Sequence, residues 1–385
     1  MTLIALNNID CIVEDKCKDI FENLDKCIEK CKLLEVNAFV VLNNVVSYKN
    51  SSTKNSILNL NNCDFNDLTT YILIPENMDC YHISPDDRIK IYTQGINNNK
   101  NFYKNLTYNK EKLNDFLKNN DSSTWLFQHY SNLLKFIGDN NFNFEFNPFD
   151  KCESTIFPTF VKSRNMILKK KSILLPLEDL YIPSYFRNIL KDDIKFNEKI
   201  KECVWRGTNS GYFFEKDGIR LSRGSRNDLI LKYGKNDNYD IGLSEIKYKY
   251  KGKLLNYNID DYVKPKLSIK EQLKYMFIIS VEGNDFATNL SWIMLSNSVP
   301  LMPVPYVDTW KMEQKLIPYI HYVPLNNDFS DLDKKMEWCL NNLNKCEEIA
   351  YMSKLYVLQF FDNEKENKII NEVINVYKKN VIYSP

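Results

Sequence analysis

The sequence has no excess of charge of either sign: 51 Lys plus Arg stand against 50 Asp plus Glu. A protein that neutralises duplex phosphates needs a basic face, so this balance argues against a nucleic-acid partner. No apolar run approaches the roughly 18 residues of a membrane-spanning helix, so no membrane span is expected. The opening stretch, MTLIALNNIDCIVED, has no basic region ahead of its apolar residues and does not read as a secretory signal. Three histidines and the absence of any CxxC pair leave little from which to build a zinc site. Together these absences describe a soluble, intracellular protein with no resident metal or cofactor.

What is present is bulk. A chain of 385 residues is long for one core and typical of two domains. Its hydrophobic share of 44% and aromatic share of 13% suit large packed interiors rather than disorder. Six cysteines (Cys11, Cys17, Cys27, Cys31, Cys63, Cys80) fall in the first 80 residues. They could staple a small module, but Cys17, Cys27 and Cys31 lie on the apolar stripe of one expected helix, where cysteine acts as a small hydrophobe. Buried free thiols are the expectation.

Residues 277–302, FIISVEGNDFATNLSWIMLSNSVPLM, organise the rest. An apolar run of strand length ends at Gly283, and Leu290, Ile293 and Met294 then keep the i, i+3, i+4 spacing of a buried helix face. Val299 opens another short strand. Strand, glycine turn, helix and strand form the unit of a Rossmann-like parallel sheet. The helix N-terminus near Ala287, Thr288 and Asn289 offers free N–H groups and the positive end of the helix dipole, a seat for a diphosphate.

In chain order, residues 14–34 read as an amphipathic helix, 38–46 and 69–74 as strands, and 1–77 as a small module whose role the residues do not disclose. Residues 78–195 read as a second α/β segment, with helices over 108–118 and 123–132. Residues 133–137 have strand length and run into Gly138 and Asp139, and a carboxylate past the carboxyl end of a strand is where α/β folds place ligand chemistry. Lys162 and Arg164 follow another strand and could hold an anion. From residue 196 onward, Trp205 leads into Arg206, Gly207 and Thr208, where glycine allows close approach of a ligand and arginine offers a planar fork to phosphate oxygens. Arg220, Arg223 and Arg226 form the densest cationic spot, at the start of an expected helix ending near Gly234. Asp240 sits in a further strand and His321 in another. Asp331-Leu332-Asp333 has the DxD spacing of a metal site, but Ser330 ahead of it reads as a helix cap.

WRGT at 205–208, the arginine-rich segment after it, VEGNDFATNLSW at 281–292 and LIPYIHYVPLNNDFSDL at 316–332 resemble glycosyltransferase family 90. This family includes capsule-associated xylosyltransferases, protein O-glucosyltransferases and lipopolysaccharide core transferases. FVKSR at 160–164 and ILLPL at 173–177 are most similar to the lipopolysaccharide-type branch.

The resemblance implies an α/β fold of GT-B type. Two Rossmann-like domains (78–195 on the acceptor side, 196–360 on the donor side) would face a cleft, with a small N-terminal α/β extension at 1–77 and a last helix, 361–385, crossing back. It implies a UDP-sugar donor, glucose or xylose, and a protein or glycan acceptor. The donor contacts it suggests are Arg206, Gly207, Thr208, Arg220, Arg223, Arg226, Asp240, Glu282, Gly283, Ala287, Thr288 and Asn289. Lys162, Arg164 and His321 would line the acceptor side or the cleft. The implied chemistry is inverting and metal-independent, with Asp139 as base and Asp150 in reserve. Protein O-glucosyltransferases carry an arginine in the helix where this chain has Asn289, Leu290 and Ser291. That departure keeps open a non-catalytic glycan- or partner-binding protein on the same fold. The Asn and Lys bias reads as AT-rich coding, and a viral origin would put the protein in the host cytoplasm.

Overall fold

The computed structural model describes residues 2–7, 9–11, 15–43, 45–49, 60–62, 68–74, 82–96, 101–103, 106–150, 157–166, 171–178, 183–211, 213–216, 219–222, 226–247 and 258–383. It is a mixed α/β structure whose three larger sheets, two parallel and one antiparallel, are accompanied among the described residues by four two-stranded pairings.

The larger parallel sheet has five strands. Asp240–Glu245 lies at one edge, followed by Ile200–Thr208, Tyr275–Ile279, Val299–Pro303 and Val323–Leu325. Numbered along the chain this order is 2-1-3-4-5, so the topology switches direction between Ile200–Thr208 and Tyr275–Ile279. Open sheets of this kind bind ligands in the crevice outside the carboxyl ends of the strands at the switch. The strands Tyr275–Ile279 and Val299–Pro303 are joined by the helix Thr288–Leu295, as the sequence unit at 277–302 requires. That helix is apolar on nearly every side: its six residues from Leu290 to Leu295 are all buried. It is sandwiched between the sheet and the long helix Leu343–Leu358.

The smaller parallel sheet has Thr159–Val161 at its centre, between Ser172–Leu174 and Glu145–Asn147. An aromatic cluster backs it, in which Phe160 stacks on Tyr377 at 4.4 Å between ring centroids. Tyr377 belongs to the helix Asn363–Asn380, and its hydroxyl donates to the carbonyl of Pro158. The same helix brings Glu366 to Arg88, a buried bidentate pair at 2.5 and 2.6 Å, so the last helix is fastened to the segment that opens at residue 82.

Near the N-terminus an antiparallel sheet runs in the order Thr2–Asn7, Thr69–Ile74, Ala38–Leu42, Val45–Lys49, Asp15–Ile20. Alternation along a strand gives its two faces different neighbours. Phe39 packs with Cys27, Cys31 and Tyr48, whereas Ala38 and Val40 join the large core shared with the C-terminal helices.

Three expectations are corrected here. Residues 14–34 are not one helix. Lys16 and Lys18 alternate with Asp15, Cys17 and Asp19 along Asp15–Ile20, which pairs with Val45–Lys49, and the helix begins only at Leu24, where the Asn23 side chain caps Lys26 N–H at 2.9 Å. Residues 38–46 are two strands of a hairpin that turns at Asn43, whose φ of 49° is left-handed. Residues 133–137 are the end of the helix Trp125–Ile137, not a strand. Tyr130, Leu133 and Ile137 form its buried face, so that apolar run obeys helical spacing. The described cysteines (Cys11, Cys17, Cys27, Cys31, Cys203, Cys339, Cys346) are free thiols, and all but Cys17 are buried. Cys63 and Cys80 lie outside the described residues. No helix among the described residues is long and apolar enough to cross a membrane.

Candidate active site

A cavity of about 400 Å³ opens at the topological switch of the five-stranded sheet. One wall is the carboxyl end of Ile200–Thr208 together with the turn and helix start at 283–289; the other carries Asp150, Lys162 and Glu178, from the turns and strand end of the small sheet.

The first wall centres on Arg226, the first residue of the helix Arg226–Tyr233. Its guanidinium donates to the carbonyl of Val281 at 3.1 and 3.2 Å and to the Ser210 hydroxyl at 3.0 Å, with longer bonds of 3.3 Å to the carbonyl and hydroxyl of Thr208. Every one of these acceptors is neutral. Burial pulls its pKa down to about 10, and among the described residues it has no carboxylate partner. A buried cation held only by neutral groups at the edge of a cavity is in want of an anion. Gly283 makes this possible, since a Cβ there would lie 2.9 Å from Arg226 Nη2. The neighbouring helix Thr288–Leu295 starts at Ala287, which offers no side-chain cap, and Thr288 and Asn289 border the cavity. Asn289 is itself fixed, donating to the carbonyl of Ile279 and accepting from Ser280 Oγ, both at 3.0 Å.

Arg206 is arranged differently. Its guanidinium donates to the carbonyls of Pro265, Trp205 and Asp240 and pairs with the Asp240 carboxylate at 2.7 Å. Burial pushes the Asp240 carboxyl up, but Arg206, Tyr275 and Lys264 outweigh it and hold it below the usual range. Arg206 and Asp240 thus brace the cavity wall against each other. Gly207 lies against the Trp205 indole, where a Cβ would come within 2.5 Å of the ring.

The opposite wall is built on one lysine. Lys162 Nζ lies 2.7 Å from Asp150, 2.9 Å from Glu178 and 3.3 Å from Asp285, so a single cation serves three carboxylates. Burial disfavours its charge, but Asp285, Glu178 and Asp150 together raise its pKa. Asp285 also accepts from Ser163 Oγ at 2.7 Å, tying the start of the strand Ser163–Asn165 to the 281–289 turn. Burial pushes Glu178 up, but His129 and Lys162 hold it low. Asp150 is the most open of the three, with its side chain 44% exposed. Phe149 N–H, next to it, donates to Asn147 Oδ1 at 3.0 Å, which shapes the turn after the strand Glu145–Asn147.

Of the residues singled out from the sequence, the structure brings Lys162, Arg206, Gly207, Thr208, Arg226, Gly283, Thr288 and Asn289 to this cavity, with Asp150; Asp240 stands behind Arg206. Others lie elsewhere. Asp139 follows the C-terminal end of a helix, fully exposed and 3.4 Å from Lys110, and the strand that was to present it does not exist. Glu282 turns inward, accepting from the N–H groups of Tyr306 and Val307, and burial pushes its pKa up to about 8. Ala287 is buried beside it. Arg164 is buried against Asp308 at 2.9 Å, and His321 is buried where its Nδ1 accepts from Ile317 N–H at 2.9 Å. Arg223 and the Arg220 side chain lie outside what is described. In the DxD triplet, Asp331 accepts from Asn326 N–H at 2.8 Å and Asp333 from the Tyr239 hydroxyl at 2.6 Å. Ser330 does not cap the helix Leu332–Asn341; its hydroxyl donates to Asp328.

Glu178 and Asp285 were missed. Asp285 sat inside the VEGND motif and Glu178 one residue past ILLPL, but only the fold brings them to Lys162.

A match to the family described as Glycosyl transferase family 90 spans residues 186–385. The chain is 31% identical over 209 residues to O-glucosyltransferase LpsA of Dichelobacter nodosus, covering 54% of this chain and 58% of that protein. It is 29% identical over 199 residues to the uncharacterized protein 035R of Invertebrate iridescent virus 3, covering 49% of this chain and 17% of the viral one. Against human Protein O-glucosyltransferase 3 it is 32% identical over 83 residues, covering 21% and 16%. The chain therefore spans little more than half of LpsA and much smaller shares of the other two.

Proposed function

The chain belongs to glycosyltransferase family 90, and from that premise we propose that it is an inverting transferase moving glucose or xylose from a UDP-sugar to a hydroxyl of a glycan or protein acceptor. The observation that carries this reading is Arg226, a buried guanidinium without a carboxylate partner among the described residues, at the switch-point cavity and beside an uncapped helix N-terminus. In it the two parallel sheets belong to the two facing halves of a GT-B arrangement.

The diphosphate sits against Arg226 and the N–H groups at Thr288 and Asn289, while Arg206 and Asp240 keep the wall rigid. As the acceptor oxygen bonds to the anomeric carbon, the bond from that carbon to the diphosphate oxygen breaks and UDP departs. The acceptor proton passes to Asp150, which replaces Asp139 as the base because it faces the cavity across from Arg226. A carboxylate in that role contributes about 10²- to 10⁴-fold. Negative charge on the departing diphosphate meets a guanidinium and oriented N–H dipoles already in place, which lowers the barrier without reorganisation. A metal is not needed in this scheme, and turnover should persist in EDTA.

The test compares UDP release from UDP-glucose and UDP-xylose by wild type, Asp150→Asn and Asp139→Asn. Asp150→Asn should lose at least about 100-fold in kcat, with UDP affinity kept, and Asp139→Asn should match wild type. Wild-type turnover surviving in Asp150→Asn refutes that assignment. UDP binding with no turnover by wild type would favour the non-catalytic alternative.

A further inference from the structure

Two large aromatic side chains stand in the open at the rim of the cavity. Trp125 is 53% exposed and Phe149 is 55% exposed. Exposed apolar side chains scattered singly are ordinary, but these two touch, with centroids 6.1 Å apart at 76°. Their position is fixed from both sides. Trp125 is the first residue of a helix capped by Thr124, whose hydroxyl accepts from Phe127 N–H, and its indole lies 5.2 Å from the His129 ring. Phe149 is held in the turn closed by Asn147, immediately before Asp150. The Lys162 ammonium, bonded to Asp150, lies 6.0 Å from the centre of the Trp125 ring.

This places a flat, water-exposed apolar face next to Asp150, the most open of the three carboxylates gathered on Lys162. The pairing suits a pyranose, which has an apolar face of C–H bonds and a rim of hydroxyls. The C–H face stacks on an aromatic ring, and the hydroxyls donate to carboxylate oxygens. A serine or threonine side chain has a hydroxyl but no comparable face. We propose that Trp125 and Phe149 are the acceptor subsite and that the acceptor is a carbohydrate, stacked on Trp125 with one hydroxyl directed at Asp150. This rests on the transferase reading above and narrows its acceptor class.

The experiment is saturation-transfer NMR on the full chain with UDP present, using maltose, lactose and cellobiose at millimolar concentration and, separately, a serine-containing peptide. At least one disaccharide should receive saturation on its ring C–H protons. The signal should fall at least fivefold in Trp125→Ala and in Phe149→Ala and be largely kept in Trp125→Phe. UDP affinity is the folding control, and Phe149→Ala stands in if the helix start does not tolerate Trp125→Ala. No response from any disaccharide, a response unchanged in both alanine variants, or a response from the peptide alone overturns the subsite. UDP binding without a saccharide response removes the subsite and leaves the transferase reading intact. A saccharide response without any UDP binding overturns the transferase reading and with it the acceptor role, leaving only a carbohydrate-binding surface.

Discussion

Arg226 occupies the space that a side chain at residue 283 would need: a Cβ on Gly283 would lie 2.9 Å from Nη2 and 3.0 Å from Cζ of the guanidinium. The glycine of the VEGND turn is therefore a steric requirement of the arginine.

It follows that Gly283→Ala should displace the guanidinium from the carbonyl of Val281 and the Ser210 hydroxyl. We expect UDP affinity to fall about tenfold or more with a stability loss of about 1–3 kcal/mol, the usual range for overpacking. Calorimetric titration of UDP beside urea unfolding separates the two. Unchanged affinity would mean that Arg226 moves freely and does not set the donor site.

Arg88 and Glu366 join the helix Pro85–Tyr92 to the last helix, and Trp310 Nε1 donates to the same carboxylate. Removing one member of a buried pair leaves an uncompensated charge. Glu366→Gln should cost about 3 kcal/mol, while Arg88→Met with Glu366→Leu should cost clearly less. Urea titrations of the single and double variants measure this, and equal losses would show that the charge pairing contributes little beyond packing.

His321 must remain neutral in the fold, because its Nδ1 accepts a hydrogen bond from Ile317 N–H and burial lowers its pKa from 6.5 to about 4. The unfolded chain takes up the proton first as pH falls, so its contribution is intact above about pH 6.5 and is lost between there and pH 4. The full difference amounts to at most about 3 kcal/mol. His321→Asn should flatten the stability profile across that window relative to wild type. Identical slopes for both proteins would contradict the assignment.

How much of this was legible in the sequence depends on how local the signal was. The strand, turn and helix at 277–302 were readable because every cue (apolar run, glycine, helical spacing) lies within one unit. The helix at 125–137 was cut short because Leu133, Leu134, Phe136 and Ile137 are dense enough to pass for a strand. Only the Thr124 cap and the face formed by Tyr130, Leu133 and Ile137 reveal the longer helix. Asp139, expected at the end of that strand, instead follows the helix, fully exposed. Arg206 and Arg226 looked alike in sequence, yet one has Asp240 and the other has no carboxylate among the described residues. That difference is tertiary. So is the convergence of Asp150, Glu178 and Asp285 on Lys162, since Asp285 lies 123 positions beyond the lysine.

The most direct test of the account is calorimetric titration of UDP and UDP-glucose onto wild type and Arg226→Met. Loss of a charge-assisted contact to the diphosphate should weaken UDP at least about 30-fold, or about 2 kcal/mol, with the unfolding temperature of the free protein unchanged or raised, since an unpaired buried cation has been removed. UDP bound equally well by Arg226→Met would contradict the central claim that the switch-point cavity is a diphosphate site built on Arg226.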